Sequence, residues 1–186
     1  MDEGTLLRII RFLAVALACV ACDPAYSGTG ATIGDWSLGS TADGQLYAGT
    51  LNDSGGMLIK GCDPANAVCY WYLVTQTGCD EGVSAAALVN SNQGTASLTL
   101  QCSGRVQVQG QPMYRAQISN PDLMDSIANG SPIVGIAAGL VDGQFKVYRF
   151  SLKGASTAIS TLMRGALAAP AQDRKAKPAS TRDTTL

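Results

Sequence analysis

Residues 131–168 have the sequence SPIVGIAAGLVDGQFKVYRFSLKGASTAISTLMRGALA. Apolar and β-branched residues predict one strand at 132–141 and a second at 144–150. Between them stands Asp142-Gly143, which favours a two-residue hairpin turn because Asp and Gly tolerate the positive φ that this turn requires. A short link follows, and then a helix is expected to about Ala168. This hairpin and helix decide the fold, because together they form a layer that must lie on a larger sheet.

Periodicity defines the faces of both elements. Alternation in the second strand places Phe145 and Val147 on one face and Tyr148 and Phe150 on the other. In the helix, apolar residues recur at a spacing of three and four positions, which forms one apolar stripe. The stripe consists of Ala155, Ala158, Ile159, Leu162, Met163, Ala166 and Leu167.

The composition is that of one globular domain. The chain has 186 residues, of which 46% are hydrophobic and 15% are charged. Its formal net charge of −1 offers no electrostatic basis for binding nucleic acid or an anionic membrane surface. Histidine is absent, which excludes Ser-His-Asp triads, Cys-His dyads and histidine metal sites. An enzyme would therefore depend on carboxylates, lysine or tyrosine.

Residues 1–18 are typical of an export signal peptide. Two arginines precede Phe12–Ala21, an unbroken apolar run well short of the ~20 residues that a membrane-spanning helix needs. Ala16-Leu17-Ala18 fits the small-x-small pattern of a cleavage site and places the cut before Cys19. An uncleaved N-terminal anchor is the alternative.

Cys19 and Cys22 are the candidates for lipidation, the one way in which we expect this chain to be attached to a membrane. A bacterial lipoprotein signal carries a branched residue, usually Leu, three positions before the acylated cysteine. Ala16 and Cys19 occupy those positions here. The match is poor at both cysteines, which favours an exported product without an acyl chain.

The remaining chain divides by composition. Small residues at 19–34 predict a linker, and 35–168 are expected to form a single disulfide-stapled domain. Turn residues recur about every ten positions in the domain, which indicates an antiparallel β-sandwich or a partly open barrel. Two packed helices are predicted, at about 121–129 and 155–168. The polar residues 169–186 are predicted to be a disordered tail.

Val68–Thr75 is aromatic and β-branched and is predicted to be a central strand. Trp71 alternates with tyrosines on both sides, so the expected arrangement is a buried tryptophan beside a disulfide. Two later strands are predicted separately, at Thr95–Cys102 and Arg105–Gln109.

Four cysteines lie within the domain: Cys62, Cys69, Cys79 and Cys102. An even number in an exported chain indicates two disulfides. We expect Cys62–Cys69 to staple a short loop and Cys79–Cys102 to close a longer one, although four cysteines allow two other pairings. The alternative, a four-cysteine zinc site, lacks the usual close Cys-x-x-Cys spacing.

Four residues form the candidate partner-binding loop: Tyr70, Tyr72, Asp80 and Glu81. The two tyrosines offer aromatic surface for stacking, and the two acidic residues are the only adjacent pair within the domain. Paired carboxylates can perform acid–base chemistry or bind a hard cation. Flanking glycines make a solvated turn the simpler expectation for them.

Three features together resemble a known family. They are Asp35-Trp36 at the start of the domain, cysteines in the first half, and the closing segment Phe150–Ile159, in which Ser-Leu-Lys-Gly leads into a helix. In these features the chain resembles the invasion-associated locus B family of bacterial exported proteins. The resemblance implies a periplasmic or outer-membrane-associated β-sandwich without known catalytic residues, linked to host interaction or envelope physiology. It transfers no functional residue.

We therefore expect a non-enzymatic exported envelope protein without a cofactor, which binds an unidentified protein or envelope component. The expected location is the periplasm or the outer membrane, or the medium if the protein is secreted. Two alternatives remain open. One is a small envelope enzyme or enzyme inhibitor with a loop carboxylate site, and the other is a lipid-anchored structural lipoprotein.

Overall fold

The computed structural model describes residues 30–140 and 143–176, with side chains as far as residue 168. The predictions for the signal peptide, for Cys19 and Cys22 and for the end of the tail lie outside these residues. Within them are ten strands and two helices, which confirms the mainly β class with two packed helices. The strands are β1 (Thr32–Ile33), β2 (Trp36–Ser40), β3 (Leu46–Leu51), β4 (Met57–Asp63), β5 (Val68–Thr75), β6 (Ser84–Ser91), β7 (Gly94–Val108), β8 (Gln111–Ile118), β9 (Ile133–Gly139) and β10 (Phe145–Ser151). The helices are α1 (Pro121–Gly130) and α2 (Ala155–Ala176).

All strands belong to one antiparallel sheet with the order β1-β2-β3-β4-β5-β8-β7-β6-β9-β10. The sheet curls until β10 contacts β3, although no ladder of hydrogen bonds pairs them in the described residues. Trp36 Nε1 donates to the Ser151 carbonyl oxygen at 3.1 Å, and the Asp35 amide donates to the Lys153 carbonyl oxygen at 2.9 Å. The result is a partly open barrel whose first and last strands meet at one end.

The predicted hairpin is present as β9 and β10, but its turn differs from the prediction. The Leu140 amide donates to the Gln144 carbonyl oxygen at 2.7 Å, and the Gly143 amide donates to the Leu140 carbonyl oxygen at 3.0 Å. Gly143 has a φ of 80°, which is the left-handed conformation that glycine adopts without strain. Leu140 and Gln144 thus form the last backbone pair of the hairpin, and three residues separate them where the sequence predicts a two-residue turn. The two faces of β10 are as predicted, since Tyr148 and Phe150 are buried while Phe145 and Val147 are exposed.

The two strands predicted at Thr95–Cys102 and Arg105–Gln109 are one strand, β7. A bulge between Cys102 and Arg105 shifts the register against β8 without ending the pairing. Gly104 lies inside the bulge with a φ of 87°. The residues between the two predicted strands, which predict a break, instead form a bend within one strand.

The predicted linker also contributes to the fold, because Thr32–Ile33 pairs with the start of β2. Gly34 turns the chain there with a φ of 60°, and a Cβ atom on it would lie 2.4 Å from the Lys153 carbonyl oxygen. The folded part therefore starts within the segment that composition marks as a linker.

Helix α1 begins as predicted, with the Asn120 side chain accepting from the Leu123 amide at 3.1 Å and with Pro121 in the first turn.

Helix α2 packs on β1–β4 and also contacts α1. Its stripe is narrower than predicted, because Met163 and Leu167 are exposed. The helix continues past Ala168 to Ala176, into the segment predicted to be a disordered tail. Over the described residues, neither helix combines the length and hydropathy needed to cross a bilayer.

Leu162 provides a test of this packing, because 3% of it is exposed on the face of α2 that meets the sheet. We predict that Leu162→Asp lowers the free energy of unfolding by on the order of 4 kcal/mol, since it buries an unpaired charge. The matched control is Leu167→Asp on the same helix, where 65% of the side chain is exposed and little change is expected. Denaturant unfolding measures both, and equal stabilities of the two variants would contradict the packing.

Candidate functional site

A cleft of about 780 Å³ lies on the concave side of the sheet, on strands β5–β10 beyond the part that α2 covers. Strands supply its floor and the segment after β5 supplies its rim. The lining residues are Leu73, Thr75, Thr77, Gly78, Cys79, Asp80, Glu81, Val83, Ala85, Leu100, Cys102, Gly104, Arg105, Tyr114, Ala116, Ala138, Gly139 and Tyr148.

The floor of the cleft is apolar. Leu73 on β5 and Leu100 on β7 are buried and belong to the main core. Ala116 on β8 and Ala138 on β9 lie beside them, half-buried. Small side chains at these two positions leave the space that larger residues would fill.

A pair of hydroxyl groups spans the cleft. Thr77 Oγ1 and Tyr148 Oη are 2.6 Å apart, so they share a hydrogen bond between the segment after β5 and strand β10. This bond connects two elements that no backbone ladder joins in the described residues. It also offers polar groups at the edge of an otherwise apolar floor.

The rim is a turn that the disulfide Cys79–Cys102 ties to β7. The Gly82 amide donates to the Cys102 carbonyl oxygen at 2.9 Å, and the Val83 amide donates to the Asp80 carbonyl oxygen at 3.0 Å. Gly82 adopts a φ of 81°, so this turn needs its glycine. One covalent bond and two hydrogen bonds therefore hold the rim in one position.

Asp80 and Glu81 are exposed on this rim, which agrees with the expected solvated turn. The Glu81 carboxylate lies against the β7 bulge, where a Cβ atom on Gly104 would lie 3.1 Å from its Oε2. The next residue, Arg105, places its guanidinium 5.2 Å from the centre of the Tyr114 ring. Acidic and basic side chains therefore both lie at the mouth of the cleft.

The two tyrosines of the predicted partner-binding loop are not part of this site. Trp71 and Leu73 belong to the core on the concave side, so Tyr70 and Tyr72 point to the opposite face of β5. The tyrosine rings are 6.3 Å apart, and Arg115 stacks on Tyr72 at 5.0 Å. Burial raises the pKa of Tyr72, and the nearby Arg115 opposes this rise. The structure therefore separates the four residues of the predicted partner-binding loop. The acidic pair lies at the cleft, and the tyrosine pair lies on the opposite face of the sheet.

Both predicted disulfides are present, as Cys62–Cys69 and Cys79–Cys102. All four cysteines are bonded to one another in these disulfides, so the alternative of a four-cysteine zinc site is wrong. Across residues 30–140 and 143–168, no group of three His, Cys, Asp or Glu side chains is placed to hold a metal ion.

Sequence reasoning misses three polar residues of the cleft, Thr77, Arg105 and Tyr148. Each comes from a different part of the chain, and none belongs to a recognisable motif. Tyr148 had a partial signal, because alternation predicts that it shares a face with buried Phe150. The curl of the sheet brings the three together, and no local pattern encodes that curl.

A second candidate site is the buried charge at Lys60, a residue that is 2% exposed on β4. Its ammonium group pairs with the Asp125 carboxylate of α1 and lies 5.5 Å from the centre of the Trp71 ring. Trp71 Nε1 also donates to Asp125 Oδ1, at 2.9 Å. None of these three residues lines the cleft, so we assign the cluster to docking α1 on the sheet.

No protein-family model and no curated protein matches the chain. Among solved structures, the crystal structure of invasion associated protein B from Bartonella henselae is similar to it, with a TM-score of 0.51 and 13% sequence identity. The match covers 72% of this chain and 95% of that one. At such low identity the similarity concerns the fold.

The Lys60 cluster yields a stability prediction. Asp125→Ala removes the carboxylate and leaves a buried ammonium without a counter-charge, which we expect to cost about 3–5 kcal/mol of unfolding free energy. Asp122→Ala is the matched control, because Asp122 is an exposed acid on the same helix. Chemical denaturation compares the two, and similar losses in both would contradict the docking role of Asp125.

Proposed function

We propose that this chain is an exported, non-enzymatic binding protein of the bacterial envelope that takes up a protein or envelope partner in the cleft. The observation that carries the proposal is the cleft itself, a concave site of about 780 Å³ beside a covalently fixed rim. Binding sites for ligands are typically concave and mainly apolar, with a few fixed polar groups. The floor around Leu73 and Leu100 and the Thr77–Tyr148 hydroxyl pair have this character.

The fixed rim supports binding for an energetic reason. Ordering a mobile loop on association reduces affinity, whereas a loop already held in place avoids that loss. Here the Cys79–Cys102 disulfide and the amide of Gly82 hold the rim before any partner arrives. Asp80 and Glu81 are thereby presented in a constant arrangement.

Two findings support export. Disulfides persist in oxidising compartments such as the periplasm, and this domain has two. The fold is also similar to that of a protein described as invasion-associated, which agrees with a role in host interaction. Location in the periplasm, at the outer membrane or in the medium remains part of the proposal.

Acylation at Cys19 or Cys22 is a separate prediction, which palmitate labelling of intact cells tests.

The carboxylates at the rim are the observation that favours the competing function, a small enzyme or enzyme inhibitor. Asp80→Asn with Glu81→Gln distinguishes the two functions. For a binding site we expect an affinity loss of about thirtyfold or less, because the two exposed charges contribute roughly 0–1 kcal/mol each. Complete loss of function in that double variant, with the partner still bound, would instead indicate catalysis or inhibition by these carboxylates.

Occupancy of the cleft is tested by Ala85→Trp. Ala85 is exposed and lines the cleft on β6, so an indole there fills the cleft without overpacking the core. We expect cross-linked capture from intact cells to recover a partner with the parent chain and to lose it with this variant. The matched control is Ala86→Trp, because Ala86 is exposed on the opposite face of the same strand. Partner loss in the control alone, or in neither variant, would contradict binding in the cleft.

A further inference from the structure

Strand β10 is the last strand of the sheet, and its hydrogen bonds show which of its residues face outward. The Leu140 amide bonds to Gln144 at one end of the hairpin, and the Leu152 amide bonds to Pro132 at the other. In an antiparallel ladder, bonded pairs recur at every second residue. The residues of β10 that bond to β9 are therefore Lys146, Tyr148 and Phe150.

Consequently Phe145, Val147 and Arg149 direct their amide and carbonyl groups away from β9. In the described ranges β10 pairs with β9 alone, and its contact with β3 includes no ladder of hydrogen bonds, so these groups form a row of donors and acceptors without a backbone partner there. The row ends at Ser151, whose carbonyl oxygen accepts from Trp36 Nε1. An unpaired edge of this kind is a template for a further strand.

The side chains along this edge are apolar and exposed. Phe145 is 69% exposed and Val147 is 47% exposed, on the convex face of the sheet. Val147 lies in register with Ala137 of β9, which in turn lies in register with Leu88 of β6, itself 46% exposed. The edge therefore borders an apolar surface, which the apolar side chains of an added strand would extend.

The charged side chains of β10 beside this surface are both cationic. Arg149 follows on the same face as Val147, and Lys146 lies on the other face, its ammonium 5.2 Å from the centre of the Tyr148 ring. Within the described part of the chain, the one ion pair is that between Lys60 and Asp125. The two cations of β10 therefore have no carboxylate partner there.

We propose that an extended segment of a partner protein adds to the edge of β10 as a further strand, with apolar residues and a carboxylate on the face that Phe145, Val147 and Arg149 share, and with acidic residues on the other face, beside Lys146. Its main chain bonds to the open groups of Phe145, Val147 and Arg149. Two of its apolar side chains lie beside Phe145 and Val147, and a carboxylate at the next position on that face pairs with Arg149. This is recognition by strand addition, in which backbone bonds supply affinity and side chains on one face supply specificity.

This site is separate from the cleft, and it stands whether or not the cleft binds a partner. Cationic residues on an edge strand also protect proteins against unwanted pairing. A purely protective edge binds no strand, so the experiment separates the two roles.

The test uses synthetic peptides and the full chain as it is exported. An extended peptide with two apolar residues and one acidic residue on one face, and acidic residues on the other face, is compared with its charge-reversed version and with a version N-methylated at alternate amides. We expect the acidic peptide to bind at least tenfold more tightly than either. Binding should also protect the amide protons of Phe145, Val147 and Arg149 from hydrogen exchange, because they are open in the free protein.

Two variants complete the test. Val147→Pro removes an outward amide that β9 does not use, and proline is tolerated at strand edges, so binding should be lost while the melting temperature is kept. Arg149→Glu should reverse the preference toward the charge-reversed peptide, whereas Arg164→Glu on α2 should not. Equal binding of the N-methylated peptide, or absence of binding by every peptide, would overturn the proposal. It would also be overturned if the chain alone dimerises and Val147→Pro makes it monomeric, because the occupant would then be a second copy.

Discussion

A buried ammonium group, that of Lys60, needs a counter-charge, and α1 supplies it through Asp125. Removing an ion from water costs several kcal/mol, so β4 can keep a lysine inside the core only with a carboxylate placed on it. Trp71 donates to the same carboxylate and packs edge-to-face against Trp36, with ring centres 6.0 Å apart. Trp36 in turn donates to the carbonyl oxygen of Ser151 on the last strand. A continuous chain of contacts thus runs from the helix through the central strands to the end of the sheet.

This chain of contacts explains why the molecule is closed at one end and open at the other. Where Trp36 reaches Ser151, the first and last strands meet and α2 covers the concave face of β1–β4. Beyond that point the Thr77–Tyr148 hydroxyl pair connects β10 with the segment after β5. The cleft and the open edge of β10 both arise there, on opposite faces of the same strands. A sheet too large to be covered by one long helix therefore leaves a cleft and a strand edge uncovered.

Much of the fold could be predicted because its signals are local. Alternation placed Tyr148 and Val147 on opposite faces of β10, and helical spacing marked the buried positions of α2, including Leu162. The candidate site was predicted only in part. The turn at Asp80 and Glu81 follows from flanking glycines, but its position above a cleft depends on strands far away in sequence. Tyr72 was grouped with that turn because it is nearby in the chain, whereas alternation along β5 carries it to the opposite face.

The sequence by itself determined the class of the fold and the faces of its strands and helices, because each depends on residue type at short spacing. It indicated two disulfides, and the tertiary structure decided which of the three possible pairings they have. Only the tertiary structure decided which ends of the sheet meet, where the cleft opens and that Lys60 is buried beside Asp125. These features depend on the curl of the sheet, which sums small twists over ten strands and is sensitive to single irregularities such as the bulge at Gly104. No local pattern encodes that sum, and so the cleft and the open edge of β10 were visible only in three dimensions.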